Sequence, residues 1–458
     1  MRSALLAAVF GLATMSAVHA DQAFEGVLVG HAILPAATYV AAPDAAGPGF
    51  AVSGKFAGPG NRRVDQVGSV PGDTGAMHGR RPTGIAFPFQ GQPVQGFSGI
   101  KPVAGEAGAY WVLTDNGFGN KRNSSDALLM FHKVRPDFKT GAVTIERTIF
   151  LSDPNKVAPF PIATDSSPAR MLTGADFDLE SIQPMADGTF WMGDEFGPYL
   201  IQIDTAGRLL RVIETKLDGK ALMSPDHHGL SVPTDPTAGA AHVARRSGGY
   251  EGMALTADGK TLWALLEQPL FGAGTNKPEG QFLRVLEFDT AKADWTGRSV
   301  KYKLEEGATA IGDFNFIDER RALIIERDNG EGDPSLACAP GQQPPACFPL
   351  PARFKRVYLV DMGAVDADGF VRKIGHIDLM NIRDPNGIAR QLGNLGEGAK
   401  QQRFNFPFFT IEDVAMIDAD HIIVANDNNL PFSAGRHLTR ADDNEFIILR
   451  VTEFLNAR

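Results

Sequence analysis

The chain has 458 residues, enough for a large core, and its 50 Gly, 30 Pro and 21% charged residues describe many short strands joined by tight turns. Its formal charge is -10 and its Lys and Arg are scattered, so the basic patch or stripe of a nucleic-acid binder is missing. Long amphipathic helices are scarce, and no apolar run approaches the roughly 20 residues of a bilayer span.

Met1 and Arg2 precede an apolar stretch from Ala4 to Val18 that closes on Val18-His19-Ala20, with small residues at the two positions a signal peptidase reads. This pattern predicts a signal peptide over 1–20, cut after Ala20, and export to the periplasm or beyond. No Cys follows the cut closely enough to accept a lipid anchor. The remainder, 21–458, is expected to be one domain. Its N-terminal strand-like runs, around Val27–Leu34 and Arg81–Phe89, flank a Gly-, Pro- and Ala-rich stretch (42–79) that reads as a long surface loop.

From Phe97 onward one unit recurs. Phe97-Ser98-Gly99-Ile100 is followed by Tyr110-Trp111-Val112-Leu113-Thr114-Asp115. Asp178-Leu179-Glu180-Ser181-Ile182 is followed by an Asp187-Gly188 turn and Phe190-Trp191-Met192-Gly193-Asp194-Glu195. Tyr250-Glu251-Gly252-Met253 leads through Asp258-Gly259 to Leu262-Trp263-Ala264-Leu265-Leu266-Glu267. Gly312-Asp313-Phe314 precedes Ala322-Leu323-Ile324-Ile325-Glu326-Arg327, and Ile411-Glu412-Asp413-Val414 precedes His421-Ile422-Ile423-Val424-Ala425-Asn426-Asp427. Trp111, Trp191 and Trp263 each stand four residues before an acid, a regular spacing that packing between strand layers demands.

Each motif is followed by two further strand-like runs, so the unit is a four-stranded antiparallel blade and the fold class is an all-β propeller. Length divided by a loop-rich blade gives about six blades, within a range of about five to seven, the sixth built from the N-terminal strands. Cys338 and Cys347 bracket a Pro-rich segment in the loop 331–353 and are expected to form a disulfide. A further loop spans 384–402.

Glu180 cannot share an apolar layer with its strand neighbours, and the same holds for Glu251, Asp313 and Glu412. Inner strands of a propeller line a central channel, so these acids are expected to converge there with Glu267, Glu326 and Asp427. Clustered carboxylates need protons, cationic side chains or a metal. Oxygen donors without paired His or Cys point to Ca²⁺, with Mg²⁺ second. By contrast Asp187, Asp204 and Asp258 read as turn formers, and His227 and His228 as exposed loop residues. Arg122 and Arg327, near motif ends, are candidates for holding an anionic substrate.

The pairing of Asp178-Leu179-Glu180-Ser181-Ile182 with Trp191-Met192-Gly193-Asp194-Glu195-Phe196-Gly197-Pro198 resembles the bacterial phytase-like family with esterase-like activity, over about residues 95 to 435. That family is similar to propeller phytases and lactonases. The resemblance implies a calcium-dependent hydrolase of phosphate or carboxylic esters, with Glu180, Glu195 and Asp194 as the catalytic candidates. No Gly-x-Ser-x-Gly elbow supports a serine nucleophile. The expected activity is metal-assisted hydrolysis of a small ester by a monomer. A lactonase or carboxylesterase, and a non-catalytic ligand-binding propeller, are the alternatives.

Overall fold

The computed structural model describes residues 21–76, 78–230, 243–272, 275, 277–395 and 402–458, so the expected signal peptide lies outside the described residues. Among these residues, five four-stranded antiparallel units follow one another. Blade 1 is Phe97–Pro102, Tyr110–Thr114, Met130–Asp137 and Ala142–Phe150. Blade 2 is Leu179–Pro184, Phe190–Asp194, Tyr199–Ile203 and Leu209–Glu214. Blade 3 is Tyr250–Leu255, Thr261–Leu266, Phe282–Asp289 and Asp294–Lys303. Blade 4 is Ala310–Phe316, Arg321–Arg327, Lys355–Val365 and Val371–Asp378, with Gln22–Phe24 added in parallel at its outer edge.

Blade 5 takes three strands from the C-terminal region, Asp413–Met416, His421–Ala425 and Asn444–Arg450, and its fourth, Val27–Leu34, from near the N-terminus. Here the structure departs from the sequence expectation. Val27–Leu34 completes the fifth blade instead of founding a sixth, and Pro82–Phe87 pairs with Val70–Asp73 as a separate hairpin. The antiparallel pairing of Leu28 with Leu449 and of Leu34 with Asn444 ties the two ends of the propeller together, so no blade is left with an unpaired edge at the junction.

Contacts between inner strands close the ring. Ser181 Oγ donates to Tyr250 O (3.4 Å) between blades 2 and 3, and Val414 N donates to Asp313 Oδ2 (2.8 Å) between blades 5 and 4. Gly99 N donates to Asp413 Oδ1 (3.2 Å) between blades 1 and 5. A Cβ on Gly252 would sit 2.7 Å from Phe314 Cβ, so glycine lets blades 3 and 4 approach.

Alternation along each strand sends successive side chains into the apolar layers on either side of a blade. Phe190 and Met192 pack with Leu113 and Phe131 between blades 2 and 1, while Trp191 packs with Tyr250 and Phe288 between blades 2 and 3. Trp263 joins Ile311 and Tyr358 between blades 3 and 4. Trp191 and Trp263 are thus core residues, as their spacing predicts, while Trp111 is partly buried and packs on Phe131 and Phe190. Ala57 and Val70 of the segment 42–76 pack on a cluster in which Phe87, Phe89 and Phe118 meet Leu430, and Arg81 is buried with Glu331 and the carbonyls of Ala434 and Leu438. The Cys338–Cys347 disulfide is present in the loop that carries Glu331. No helix among the described residues is long and apolar enough to cross a membrane.

Candidate active site

The first strand of blades 1 to 4 carries a bulge at one recurrent place. Pairing with the second strand skips Glu180 between Leu179 and Ser181, and Glu251 between Tyr250 and Gly252. In blade 4 it skips Gly312 and Asp313, and in blade 1 Ser98 and Gly99. A bulge frees one residue from the alternation of the strand and re-aims its side chain. Leu179 and Ile182 therefore remain in the core while Glu180 turns to the mouth of the channel. By this register Ser98, Glu180, Glu251, Gly312 and Glu412 are equivalent around the ring. A side chain at Gly312 is excluded, because its Cβ would lie 1.9 Å from Ile411 O.

Residues at or just past the ends of the second strands form a second tier: Asp115, Glu195, Glu267, Arg327 and Asp427. Blade 4 therefore places a guanidinium where the other four place an acid. Both tiers open into a cavity of about 630 Å³, lined among the described residues by eight carboxyl groups, of Asp115, Asp178, Glu180, Glu195, Glu251, Glu267, Glu412 and Asp427, and by two guanidiniums, of Arg245 and Arg327. One carboxylate oxygen from each of Asp178, Glu180 and Glu195 lies within 4.8 Å of the others, and the same holds for Glu180, Glu251 and Glu412.

Burial dominates the electrostatics of these groups, and mutual repulsion adds to it. Burial, then the charges of Asp178 and Glu251, push Glu180 well above the carboxylate range. Burial followed by Glu267 does the same to Glu195, and burial followed by Glu412 to Glu251. Glu412 is raised to about 8 by burial and Asp427, against the pull of Arg327. Arg327 donates to Glu267 Oε1 (2.8 Å) and reaches Glu412 Oε1 (3.5 Å), so it neutralises one side of the cavity only. Glu251 Oε1 and Asp178 Oδ1 are buried without a hydrogen-bond partner. An unpaired buried carboxylate oxygen costs several kcal/mol unless a proton or cation meets it. The donors are all hard oxygens, which fits Ca²⁺ or Mg²⁺.

Several expected site residues stand elsewhere. Asp194 is fully buried outside the cavity, where it accepts from Asp178 N (2.8 Å) and Gly197 N (2.7 Å) and so shapes the turn that presents Asp178 and Glu195. Asp313 is one residue beyond the equivalent position. It accepts from Phe314 N, Asn315 Nδ2 and Val414 N below the acidic ring, among the polar groups around Lys101. Glu326 is one residue before the second tier and faces Tyr302 Oη (2.5 Å) and Lys373 between strands. Arg122 is exposed and does not line the cavity. His227 and His228, expected in solvent, pack instead on Tyr199 and Phe160, with His228 stacked at 3.6 Å.

Two acids of the cavity had weaker signals. Asp115 occupies the Trp-plus-four register together with Glu195 and Glu267 and could have been grouped with them. Asp178 precedes its strand, outside any alternation, and only the turn held by Asp194 brings it beside Glu180.

A family model described as Phytase-like, esterase-like activity of phytase, matches residues 92–430. The chain belongs to this phytase-like family. The match begins just before blade 1 and ends after the second strand of blade 5, so the phytase-like region contains every carboxylate of the cavity. An uncharacterized secreted protein of Arthroderma benhamiae is 30% identical over 181 residues, 36% of this chain and 31% of that protein. The match thus spans about a third of that relative's length. Solved structures similar to the phytase-like chain include a luciferin-regenerating enzyme, at 11% identity over 79% of each chain with a TM-score of 0.35. A β-1,3-galactosidase of glycoside hydrolase family 43 is 10% identical, with 84% of this chain and 94% of that one covered and a TM-score of 0.38.

Proposed function

We propose that this phytase-like protein is an exported, cation-dependent hydrolase of small anionic esters, phosphate monoesters foremost, with Ca²⁺ as its ion and Mg²⁺ as a substitute. One observation carries the reading: two overlapping triads of buried carboxylates meet in a cavity whose two guanidiniums cannot balance them. An anionic ester would be repelled by eight carboxylates unless cations were held among them. Membership of the phytase-like family supports ester hydrolysis. A disulfide between the only two cysteines and a secreted relative support export.

Asp178, Glu180, Glu195, Glu251 and Glu412 would hold the ion. Bound there, it would supply Lewis-acid polarisation of the ester oxygen and lower the pKa of water. The protein's own groups do the rest. Arg245 and Arg327 each line the cavity with a buried Nε that has no hydrogen-bond partner, and these N–H groups would orient an anionic substrate. Asp115 is fixed by Gln95 Nε2 and Gly117 N, and Asp427 by Thr410 Oγ1 and Asn429 N. Neither belongs to the triads, and one of them would accept the proton of the attacking water.

The test is hydrolysis of p-nitrophenyl phosphate, phytate, p-nitrophenyl acetate and lactones by purified protein, with and without chelator. Calcium-restored turnover of a phosphate ester is expected. Chelator-sensitive activity confined to acetate or lactones would make the protein a lactonase or carboxylesterase. Inactivity throughout despite bound calcium would leave a ligand-binding propeller.

A further inference from the structure

The two carboxylate triads share one residue. Asp178, Glu180 and Glu195 all come from blade 2, whereas Glu180, Glu251 and Glu412 come from blades 2, 3 and 5. A Ca²⁺ ion binds oxygens at about 2.3–2.6 Å, so two ligands of one ion stand at most about 5 Å apart. Each triad meets that limit by itself, with oxygens within 4.8 Å, while the five residues do not form one such group. The arrangement thus offers two three-oxygen sites that share Glu180. A carboxylate has two oxygens and can place one on each of two ions.

Each triad also contains its own unsatisfied atom. Asp178 is 3% exposed and its Oδ1 has no partner, and Glu251 is likewise 3% exposed with Oε1 unpartnered. By contrast Glu195 accepts from Gly249 N (3.1 Å), and Glu412 from Ser98 Oγ (3.0 Å). One ion would relieve Asp178 or Glu251 but leave the other stranded. Two divalent ions with the guanidiniums of Arg245 and Arg327 would offset six of the eight carboxylate charges of the cavity, whereas a single ion would offset four.

We propose that the cavity holds a pair of divalent cations bridged by Glu180, one completed by Asp178 and Glu195 and the other by Glu251 and Glu412. This rests on the proposed hydrolase reading and deepens it, because two adjacent ions can stabilise both the attacking and the leaving oxygen of a phosphoryl displacement.

The experiment is calcium titration of chelator-stripped full-length mature protein by calorimetry, with metal analysis after dialysis, on the parent and on isosteric variants checked for folding by circular dichroism. About two equivalents are expected for the parent, about one each for Asp178→Asn and Glu251→Gln, and a loss of both for Glu180→Gln. Loading with Mn²⁺ provides a second readout that does not depend on the variants. Electron paramagnetic resonance should show an exchange-coupled Mn²⁺ pair in the parent. Single-equivalent binding, or two ions without magnetic coupling, would overturn the bridged pair. Ester hydrolysis with one bound ion would sink the pair and leave the hydrolase reading intact. Two coupled ions without hydrolysis of any substrate would do the reverse.

Discussion

Ser98 of blade 1 donates its hydroxyl to Glu412 Oε2 of blade 5 at 3.0 Å, across a sequence separation of 314 residues. Both are buried; Ser98 is skipped by the bulge of its inner strand, and Glu412 immediately precedes its own inner strand. The contact that helps close the ring is therefore also a contact of the candidate site.

Replacing Ser98 by Ala leaves one oxygen of Glu412 without its donor. Leaving a buried carboxyl oxygen without its donor should cost about 1–3 kcal/mol. Urea unfolding in chelator is expected to register this cost, and calcium should weaken the effect by giving Glu412 another partner. An equal loss with and without calcium would separate this bond from the ion.

Trp191 is fully buried between blades 2 and 3 and does not line the cavity. Trp191→Ala should destabilise the protein by about 3–5 kcal/mol through lost burial and a residual cavity. Calcium stoichiometry measured below the unfolding transition should stay at the parent value.

Arg327→Ala leaves Glu267 without its ion-pair partner and Glu412 without its nearest cation. Breaking a buried pair costs about 3–5 kcal/mol, so a clear fall in melting temperature is expected in chelator. In Arg327→Lys the charge is restored but not the planar fork, so stability should recover more than KM for a phosphate ester does. Recovery of both in parallel would argue against substrate contact by the guanidinium.

Glu445 supplies a pH test away from the cavity. Burial alone would raise its pKa, but Arg436 and then His31, at 2.8 and 3.0 Å, outweigh burial and hold it at about 2. A folded-state pKa below the unfolded value contributes stability that is present above about pH 4.3 and is lost as pH falls toward 2. The stability difference between the parent and Glu445→Gln, from denaturant unfolding at pH 7, 4.5 and 3, should be largest at pH 7 and shrink on acidification. A difference independent of pH would rule out the ion pair as its source.

Calcium removal should lower folding stability by about 2.7 kcal/mol for each site held at a hundredfold excess over Kd, so the unfolding midpoint should fall with the logarithm of free calcium. Scanning calorimetry across a calcium series measures this directly, and a flat midpoint would mean that no ion is held by the folded state.

Some of the site could be read from the chain because glutamate in a buried strand has no local explanation. Glu180, Glu251 and Glu412 stood out for that reason, and the structure brings the three together. Asp313 and Glu326 carried the same kind of signal but point elsewhere, since a slip of one residue in a strand reverses the face. The bulge that decides the face is a backbone feature, and residue types alone do not place it. His227 and His228 failed for a related reason: their aromatic partners Tyr199 and Phe160 are brought to them by the chain fold.

By itself the sequence determined the repeating unit and the strand alternation, because both follow from local spacing: tryptophan four residues before an acid, and turn aspartates between apolar runs. Only the tertiary structure decided the five-blade closure among the described residues, since Val27–Leu34 meets Asn444–Arg450 through pairing over almost the whole chain. It likewise decided which acids share the cavity, where Arg327 stands among them, and that Asp178 joins Glu180. These outcomes depend on where separate blades converge, and convergence on a common axis is a property of the closed ring, not of any one strand.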